Sequence, residues 1–149
     1  MSLTNLKLDK KILTGWGNYP QCDSILASPS TLGELKVLAK EKGIIARGNA
    51  RSYGDSSISK RITIEMKNFN KIINFNKETG EITAEAGVIL SELIYKYLPI
   101  GFFPYVTPGT KYVSLGGMIA SNVHGKNHHI EGCLSDYVIW VDIIQSDGS

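Results

Sequence analysis

The sequence is poor in cysteine, which argues against a disulfide-stabilised scaffold. It has 149 residues and only 2 cysteines, Cys22 and Cys133, which lie far apart along the chain. Small secreted domains that depend on disulfides carry more cysteines at closer spacing. We therefore expect two free thiols and a cytoplasmic location, where thiols stay reduced.

The sequence also lacks long apolar runs and a strong excess of charge of either sign. No run approaches the ~18 residues of a membrane-spanning helix, and residues 1–11 have no apolar core of the kind found in signal peptides. Lys and Arg number 16 against 14 Asp and Glu, a net charge of +2. A nucleic-acid-binding domain is usually far more basic, so we expect no nucleic-acid partner. Peripheral association with a membrane stays open.

Glycine is abundant, and the residues between the glycines predict helices in two places. There are 15 glycines, about a tenth of the chain, against a usual share of ~7%. A capping box and leucines at helical spacing predict a helix over residues 31–42, with Lys40 and Lys42 in its last turn and a glycine as its stop. A second helix is predicted over residues 91–98 and ends at Pro99.

Short apolar and alternating runs between these helices predict strands. The predicted strands cover residues 44–46, 61–65, 72–75 and 82–85, with a turn at residues 76–80. The apolar run at residues 137–144 predicts one more strand of about eight residues. It is followed by a hairpin signal, Ser146-Asp147-Gly148, with no returning strand. This pattern suggests an α+β domain that is a piece of a longer protein, and a frayed C-terminus is the alternative.

A polar loop follows the predicted strand at residues 44–46 and contains two glycines, Gly48 and Gly54. Successive backbone N–H groups in such a turn form a concave anion site, and a glycine lets a phosphate approach the backbone. Hydroxyl donors come from Ser52 and Ser56. The spacing matches neither the dinucleotide fingerprint nor the Walker pattern. Two interpretations stay open, an anion-binding cradle and an ordinary connection between strands.

A second stretch of small residues follows Ser114, which can cap a short helix that begins at Leu115. Its small residues are Gly116, Gly117, Ala120 and Ser121. A helix side without bulky side chains admits a large flat ligand, and free amides at a helix start favour a phosphate. Tight packing of the helix on a strand requires small residues for the same steric reason. Both interpretations stay open.

Three histidines follow in the run His124-Gly125-Lys126-Asn127-His128-His129. The run offers only histidine as a metal ligand, and the nearest carboxylate is Glu131. Zinc sites usually combine ligands from more than one segment, so we expect no metal here. These residues either face a polar or anionic substrate or are solvated loop residues.

Taken together, these segments resemble the FAD-binding domain of the vanillyl-alcohol-oxidase flavoproteins, which have the PCMH-type fold. The motifs that carry the resemblance are Gly15-Trp16-Gly17, Ala46-Arg47-Gly48, Arg51-Ser52-Tyr53-Gly54-Asp55, Glu85-Ala86-Gly87-Val88, Gly116-Gly117-Met118-Ile119-Ala120 and Val123-His124-Gly125-Lys126-Asn127-His128-His129. The last run is the most specific. Within the superfamily it resembles the decaprenylphosphoryl-β-D-ribose oxidases, flavin subunits of an epimerase in cell-wall arabinan synthesis. The resemblance extends from about residue 15 to the end of the sequence.

The resemblance implies a small mixed sheet with flanking helices and the start of a second subdomain. Residues 1–105 would form the first FAD-binding subdomain, and residues 106–149 would open the second, incomplete at the C-terminus. Many relatives attach the flavin covalently to a histidine in the first loop, where this sequence has Arg51. We therefore expect FAD to be bound non-covalently.

The resemblance also implies which residues contact the cofactor, while no catalytic residue is assigned within the chain. His124 and Lys126 would lie on the substrate side of the flavin. The expected cofactor contacts are Ala46, Arg47, Gly48, Asn49, Ala50, Arg51, Ser52, Tyr53, Gly54, Asp55, Ser56, Gly109, Ser114, Leu115, Gly116, Gly117, Ser121, Asn122, Val123 and His124.

The activity implied by the resemblance is oxidation of a C–OH group by hydride transfer to FAD. The substrate would be a sugar or a polyprenyl-phosphoryl sugar, and a short-chain reductase would be a partner. An alditol or sugar-lactone oxidase and a non-catalytic flavin-binding module are the alternatives. We expect this chain alone to bind FAD weakly or not at all and to show no turnover.

Overall fold

The computed structural model describes residues 6–149, which form two compact units. Unit 1 comprises residues 6–68 together with Asp142–Ser149, and unit 2 comprises Phe69–Val141. The expected boundary after residue 105 separates two cofactor-binding subdomains, which is a different division, and it stays a prediction. In the part of the chain that the structure describes, no helix has the length and apolar character needed to cross a membrane.

Unit 1 is built on a four-stranded mixed sheet. Its strands are β1 (Leu8–Leu13), β2 (Cys22–Ala27), β3 (Ile44–Arg47) and β4 (Ile62–Glu65), in the order β1-β2-β4-β3. The first two strands are antiparallel, whereas β4 runs parallel to both of its neighbours. The mixed sheet expected from the sequence is therefore confirmed, and β3 lies at its edge, where its carboxyl end opens into the loop that follows.

The strands β1 and β2 were not predicted from the sequence, which placed a helix first. Most side chains of β1 are exposed, and two of them, Lys10 and Lys11, are lysines. A strand at the edge of a sheet often carries lysine because the charge discourages pairing with other chains. The polar residues of β1 thus hide the alternation of apolar and polar residues that would identify a strand.

The first helix, α1 (Leu32–Leu38), begins with the predicted capping box. Glu34 N–H donates to Thr31 Oγ1 over 3.2 Å, and Thr31 N–H donates back to Glu34 Oε2 over 3.1 Å. The backbone N–H of Ser30 also donates to this carboxylate, and this hydrogen bond is the largest of several causes that lower the pKa of Glu34. The start of the helix is therefore fixed by its own side chains.

The end of α1 was predicted wrongly. The helix ends at Leu38 rather than just before Gly43, because Glu41 N–H bonds only three residues back, to Leu38 O over 3.0 Å. These tighter bonds lead the chain out of the helix, and its last turn carries Lys36 instead of Lys40 and Lys42.

Unit 2 begins with a hairpin of β5 (Ile72–Phe75) and β6 (Ile82–Ala84), followed by α2 (Leu90–Tyr97). The predicted turn is confirmed, since Asn76 Oδ1 accepts from Glu78 N–H over 2.8 Å. Pro99 lies in a short 3₁₀ helix, Leu98–Ile100, directly after α2. The hairpin packs against α2 through a core centred on Val88, Leu93 and Tyr97.

Two short helices, α3 (Leu115–Ala120) and α4 (His128–Glu131), and a 3₁₀ helix, Leu134–Tyr137, follow. The predicted strand at residues 137–144 is wrong, because no strand of residues 6–149 pairs with this run. A strand forms only where a neighbour completes its hydrogen bonds. The predicted turn after it does form, with Gly148 at φ +81° and Gly148 N–H donating to Gln145 O over 2.9 Å.

Candidate functional site

The loop at residues 46–57 in unit 1 is a closed turn held by its own hydrogen bonds. Ser52 Oγ and Ser57 Oγ lie 3.0 Å apart, and Ser56 Oγ donates to Tyr53 O over 3.1 Å. Ile58, which is buried in the core of unit 1, anchors the end of the loop. The hydroxyl of Ser56 therefore stabilises the loop and is not the free donor that the sequence suggested.

Four backbone N–H groups of this loop point away from any acceptor in the described chain. The amides of Gly48, Ala50, Tyr53 and Gly54 find no acceptor within residues 6–149. Gly54 has φ +61°, and Ala50 has φ +54°, a left-handed conformation that costs a non-glycine residue about 1–2 kcal/mol. Strained residues of this kind are concentrated at functional sites. The loop thus presents a set of donors that suits an anion.

Arg47, the last residue of β3, adds a half-buried guanidinium at the start of this loop. Its Nη2 donates to Thr14 O over 2.7 Å. Its Nη1 is buried and has no hydrogen-bond partner in the described part of the chain. Burial lowers the pKa of Arg47, and the carboxylate of Glu65 partly offsets this effect. A buried charged donor without an acceptor is costly unless a ligand satisfies it.

Sequence reasoning assigned no role to the neighbouring segment at residues 14–17, which the structure places against this loop. Trp16 N–H donates to Ser52 O over 2.8 Å, and the guanidinium of Arg51 lies 4.5 Å from the centre of a Trp16 ring. The only available signal was the Gly15-Trp16-Gly17 motif. Such a motif shows no contact by itself, because the segment and the loop are distant in sequence.

In unit 2, the start of α3 does not have the free amides expected from the sequence. The predicted cap is confirmed, with Ser114 Oγ accepting from Gly117 N–H over 3.3 Å. Leu115 N–H, however, donates to Val88 O, and Gly116 N–H donates to Ala86 O, each over 2.8 Å. These amides are occupied within unit 2, so they cannot hold a phosphate.

The small residues of α3 differ in their surroundings. A Cβ at Gly116 would lie 2.9 Å from Ala86 Cβ, so this glycine is required for close packing. By contrast, Gly117, Ala120 and Ser121 are exposed and lie three and four residues apart on one side of the helix. They form an exposed surface without bulky side chains, which we call the flat patch.

The segment that follows α3 is fixed by a turn near Cys133. Asn122, at φ +39°, accepts a hydrogen bond at Oδ1 from Ser135 N–H over 2.9 Å. Leu134 N–H donates to Val123 O over 2.9 Å, and the backbones of His124 and Cys133 pair as an isolated antiparallel β-bridge. The expected contact residues 121–124 therefore have a defined backbone conformation.

His124 and Lys126 line an open groove of about 800 Å³ in unit 2. His128 also lines it, which the sequence did not single out from the histidine run. The remaining lining residues are Phe103, Pro104, Tyr105, Thr107, Pro108, Gly109, Gly125 and Asn127. Imidazole and ammonium groups thus meet aromatic and proline side chains, an arrangement suited to a ligand with both polar and apolar parts.

One wall of this groove is held by aromatic stacking and hydrogen bonds. The rings of Tyr105 and Tyr137 stack with their centres 4.8 Å apart, and Asn127 Nδ2 donates to Tyr105 O over 3.1 Å. Tyr137 donates its hydroxyl proton to Glu131 Oε2 over 2.7 Å. This hydrogen bond raises the pKa of Tyr137 to about 12. Tyr137 is therefore neutral at physiological pH and acts here as a donor.

The histidine run brings two of its imidazole rings close together. The rings of His124 and His128 lie 5.1 Å apart between centres. Among the described residues, however, no three His, Cys, Asp or Glu side chains converge as metal ligands.

Comparison with known proteins identifies similarity over most of the chain. A family model described as an FAD binding domain matches residues 20–149. The chain is 35% identical to the decaprenylphosphoryl-beta-D-ribose oxidase of Mycolicibacterium smegmatis over 155 aligned positions, covering 99% of this chain and 34% of that protein. It is 27% identical to the L-gulonolactone oxidase of Mus musculus, covering 81% of this chain and 28% of that protein.

Solved structures show the same fold. The structure of cholesterol oxidase from Brevibacterium sterolicum covers 82% of this chain with a TM-score of 0.70 and 21% identity. The expected mixed sheet with flanking helices is thereby confirmed as the fold of this group. The chain spans about a third of the length of the curated oxidase from Mycolicibacterium and 25% of the cholesterol oxidase chain.

Proposed function

The chain belongs to the family of FAD binding domains, and from that premise we propose that it is the FAD-binding part of an oxidoreductase. The proposed reaction is oxidation of a C–OH group of a sugar. The proposed substrate is a sugar linked to a polyprenyl phosphate, since the curated relatives include an oxidase of that substrate class at 35% identity.

The observation that carries the proposal is the unsatisfied donor set of the loop at residues 46–57. The amides of Gly48, Ala50, Tyr53 and Gly54 and the buried Nη1 of Arg47 have no acceptor in the described chain, and a diphosphate supplies several oxygens with negative charge. The donors present therefore fit the diphosphate of FAD. Residues of this loop that we propose as contacts are Ala46, Arg47, Gly48, Asn49, Ala50, Arg51, Ser52, Tyr53, Gly54, Asp55 and Ser56.

In unit 2, we propose further contacts to FAD from the flat patch on α3 and the segment after it. The exposed small residues there admit an aromatic ring without steric conflict. These proposed contacts are Gly109, Ser114, Leu115, Gly116, Gly117, Ser121, Asn122, Val123 and His124. Because the first amides of α3 are occupied, contacts at Ser114–Gly116 would use side-chain or carbonyl groups instead.

When bound, FAD supplies the acceptor for a hydride from the substrate carbon. The chain's own residues would bind and orient that substrate. Lys126 in the groove of unit 2 suits a phosphate oxygen, and His124 suits a sugar hydroxyl. The apolar side chains of Phe103 and Tyr105 suit the first part of a lipid chain. We assign no residue of the chain as the base.

A sugar-lactone oxidase is the second candidate, favoured by the similarity to an L-gulonolactone oxidase. Such a substrate carries no phosphate, so it offers Lys126 no partner. The short-chain reductase partner is proposed from the family resemblance alone.

Titration of the ¹⁵N-labelled chain with FAD tests the cofactor proposal. We expect saturable shifts of the amide resonances of this loop, above all those of Gly48, Ala50, Tyr53 and Gly54, since these N–H groups would gain acceptors. The turn at residues 76–80, which is satisfied internally, serves as the reference. The proposal commits to weak binding by this chain, so absence of any shift in the loop up to millimolar FAD would contradict it. Nuclear magnetic resonance is suited to this test because it also detects weak binding.

FAD should leave the protein when the protein unfolds. Arg51 stands where many relatives have a histidine attached to flavin, and the loop contains no histidine. An arginine does not form that covalent bond. After acid precipitation of the FAD-loaded protein, we expect the yellow colour in the supernatant. Colour that stays with the pellet would show covalent attachment.

A further inference from the structure

We infer that Gly15 and Trp16 are positioning residues for the cofactor diphosphate. They hold two carbonyl groups of the loop at residues 46–57 on one side, so that the loop amides point to the other side. We call residues 14–16 the clamp. The inference rests on the proposed function, because it explains how this loop becomes a site for an anion.

Gly15 is buried against two carbonyl oxygens of the loop. A Cβ at this position would lie 2.5 Å from Gly54 O and 2.7 Å from Ser52 O. The φ angle of Gly15 lies outside the left-handed region, so any residue could adopt this backbone conformation. Glycine is required here because there is no space for a side chain. Both carbonyl groups therefore point toward the clamp.

The direction of these carbonyl groups sets the direction of the next amides. In a planar trans peptide, the C=O and the N–H of the following residue point in opposite directions. With the carbonyls of Ser52 and Gly54 toward the clamp, the N–H groups of Tyr53 and Asp55 point away from it. Neither amide has an acceptor among residues 6–149. The N–H of Trp16 secures this arrangement through its bond to Ser52 O.

The clamp also contacts both arginines of the loop. Thr14 O accepts from Arg47 Nη2 over 2.7 Å, and Trp16 lies under the guanidinium of Arg51 at 4.5 Å. A cation above an aromatic ring is attracted to it and loses mobility. Thr14, Gly15 and Trp16 therefore fix the amides and the cations that would meet a diphosphate.

The substitution Gly15→Ala tests this inference, with Gly17→Ala as its matched control. A Cβ at Gly17 would meet only Tyr53 Cδ1 at 3.7 Å, an ordinary contact. We expect Gly15→Ala to weaken ADP binding about fivefold or more, the loss expected when one or two hydrogen bonds are misaligned. Adenosine, which has no phosphate, should be affected much less. Gly17→Ala should leave both affinities unchanged.

The measurement is an amide-resonance titration of each variant with ADP, adenosine and FAD. A fall in the ratio of ADP to adenosine affinity supports positioning, whereas an equal loss of both ligands indicates only structural damage and overturns the inference. If the wild-type chain binds FAD and Gly15→Ala binds ADP equally well, the inference fails and the proposed function stands. If the wild-type loop binds neither ADP nor FAD, both fail.

A second variant keeps the inference testable should Gly15→Ala not fold. Trp16 is 53% exposed, so Trp16→Ala should fold normally while removing the ring beneath Arg51. We expect about a threefold loss of ADP affinity, in the range of one exposed cation–π contact. Trp16→Tyr, which retains an aromatic face, should restore most of it. An unchanged ADP affinity in Trp16→Ala would overturn the role of Trp16.

Discussion

Replacing Arg47 with methionine is expected to weaken FAD binding about 10- to 100-fold, the loss of one charge-assisted hydrogen bond in a partly buried site. The reason is that only one of the two terminal nitrogens of Arg47 has a hydrogen-bond partner in the described chain. Its Nη2 is held by Thr14 O, whereas its Nη1 is buried without a partner in the described chain. A diphosphate oxygen at Nη1 would recover the cost of burying that donor.

Two other substitutions separate this effect from simple changes in charge. Arg47→Lys keeps the charge but cannot donate to Thr14 O and to a phosphate in the same planar geometry, so we expect an intermediate affinity. Arg61→Met removes an exposed arginine in the same unit and should leave the affinity unchanged. The dissociation constant for FAD, measured by amide-resonance titration, checks all three.

The stability of the Arg47→Met variant also distinguishes two roles of Arg47. If the residue serves the cofactor, the ligand-free variant should be about as stable as the wild type, because a buried unsatisfied donor is removed along with one hydrogen bond. A marked loss of thermal stability without a change in FAD affinity would show that Arg47 supports only the fold.

The parts of the fold that the sequence predicted are those fixed by residues close together in the chain. The capping box at Thr31, the turn at residues 76–80 and the cap at Ser114 all depend on contacts within four residues. The strand β1 and the run at residues 137–144 depend on a partner elsewhere. Strand β1 pairs with β2 despite its lysines, whereas the run at residues 137–144 has no partner strand in the described chain despite its apolar residues.

The candidate site shows the same limit. Glycines and arginines in one loop predicted a possible anion cradle, because local turns expose amides. The sequence could not show that Ala86 and Val88 occupy the first amides of α3, since these carbonyls come from a distant segment. The sequence likewise did not indicate a role for Gly15, which is required because two loop carbonyl groups pack against it. Such details depend on tertiary contacts, which local patterns do not encode.

Replacing Gly116 with alanine is expected to lower the free energy of unfolding by about 1–2 kcal/mol. Helix propensity alone predicts the opposite, a gain of about 1 kcal/mol, because alanine favours helices over glycine. The added methyl group would lie 2.9 Å from Ala86 Cβ and 3.1 Å from Ala86 O. Neither atom can move without shifting the backbone, and forced overpacking of this kind costs about 1–3 kcal/mol.

The neighbouring substitution Gly117→Ala is expected to leave stability nearly unchanged and to weaken FAD binding. Gly117 is exposed, and an added Cβ would meet only the hydroxyl of Ser114 at 3.1 Å. The gain of about 1 kcal/mol in helix propensity is offset by crowding of the Ser114 cap, so we expect stability within about 0.5 kcal/mol of the wild type in chemical denaturation. We also expect weaker FAD binding, because the methyl group would rise from the flat patch proposed to face the cofactor. Equal stability of both variants would show that Gly116 is not needed for packing. Unchanged FAD binding in Gly117→Ala would remove the flat patch from the proposed site, since a small residue would then serve no ligand there.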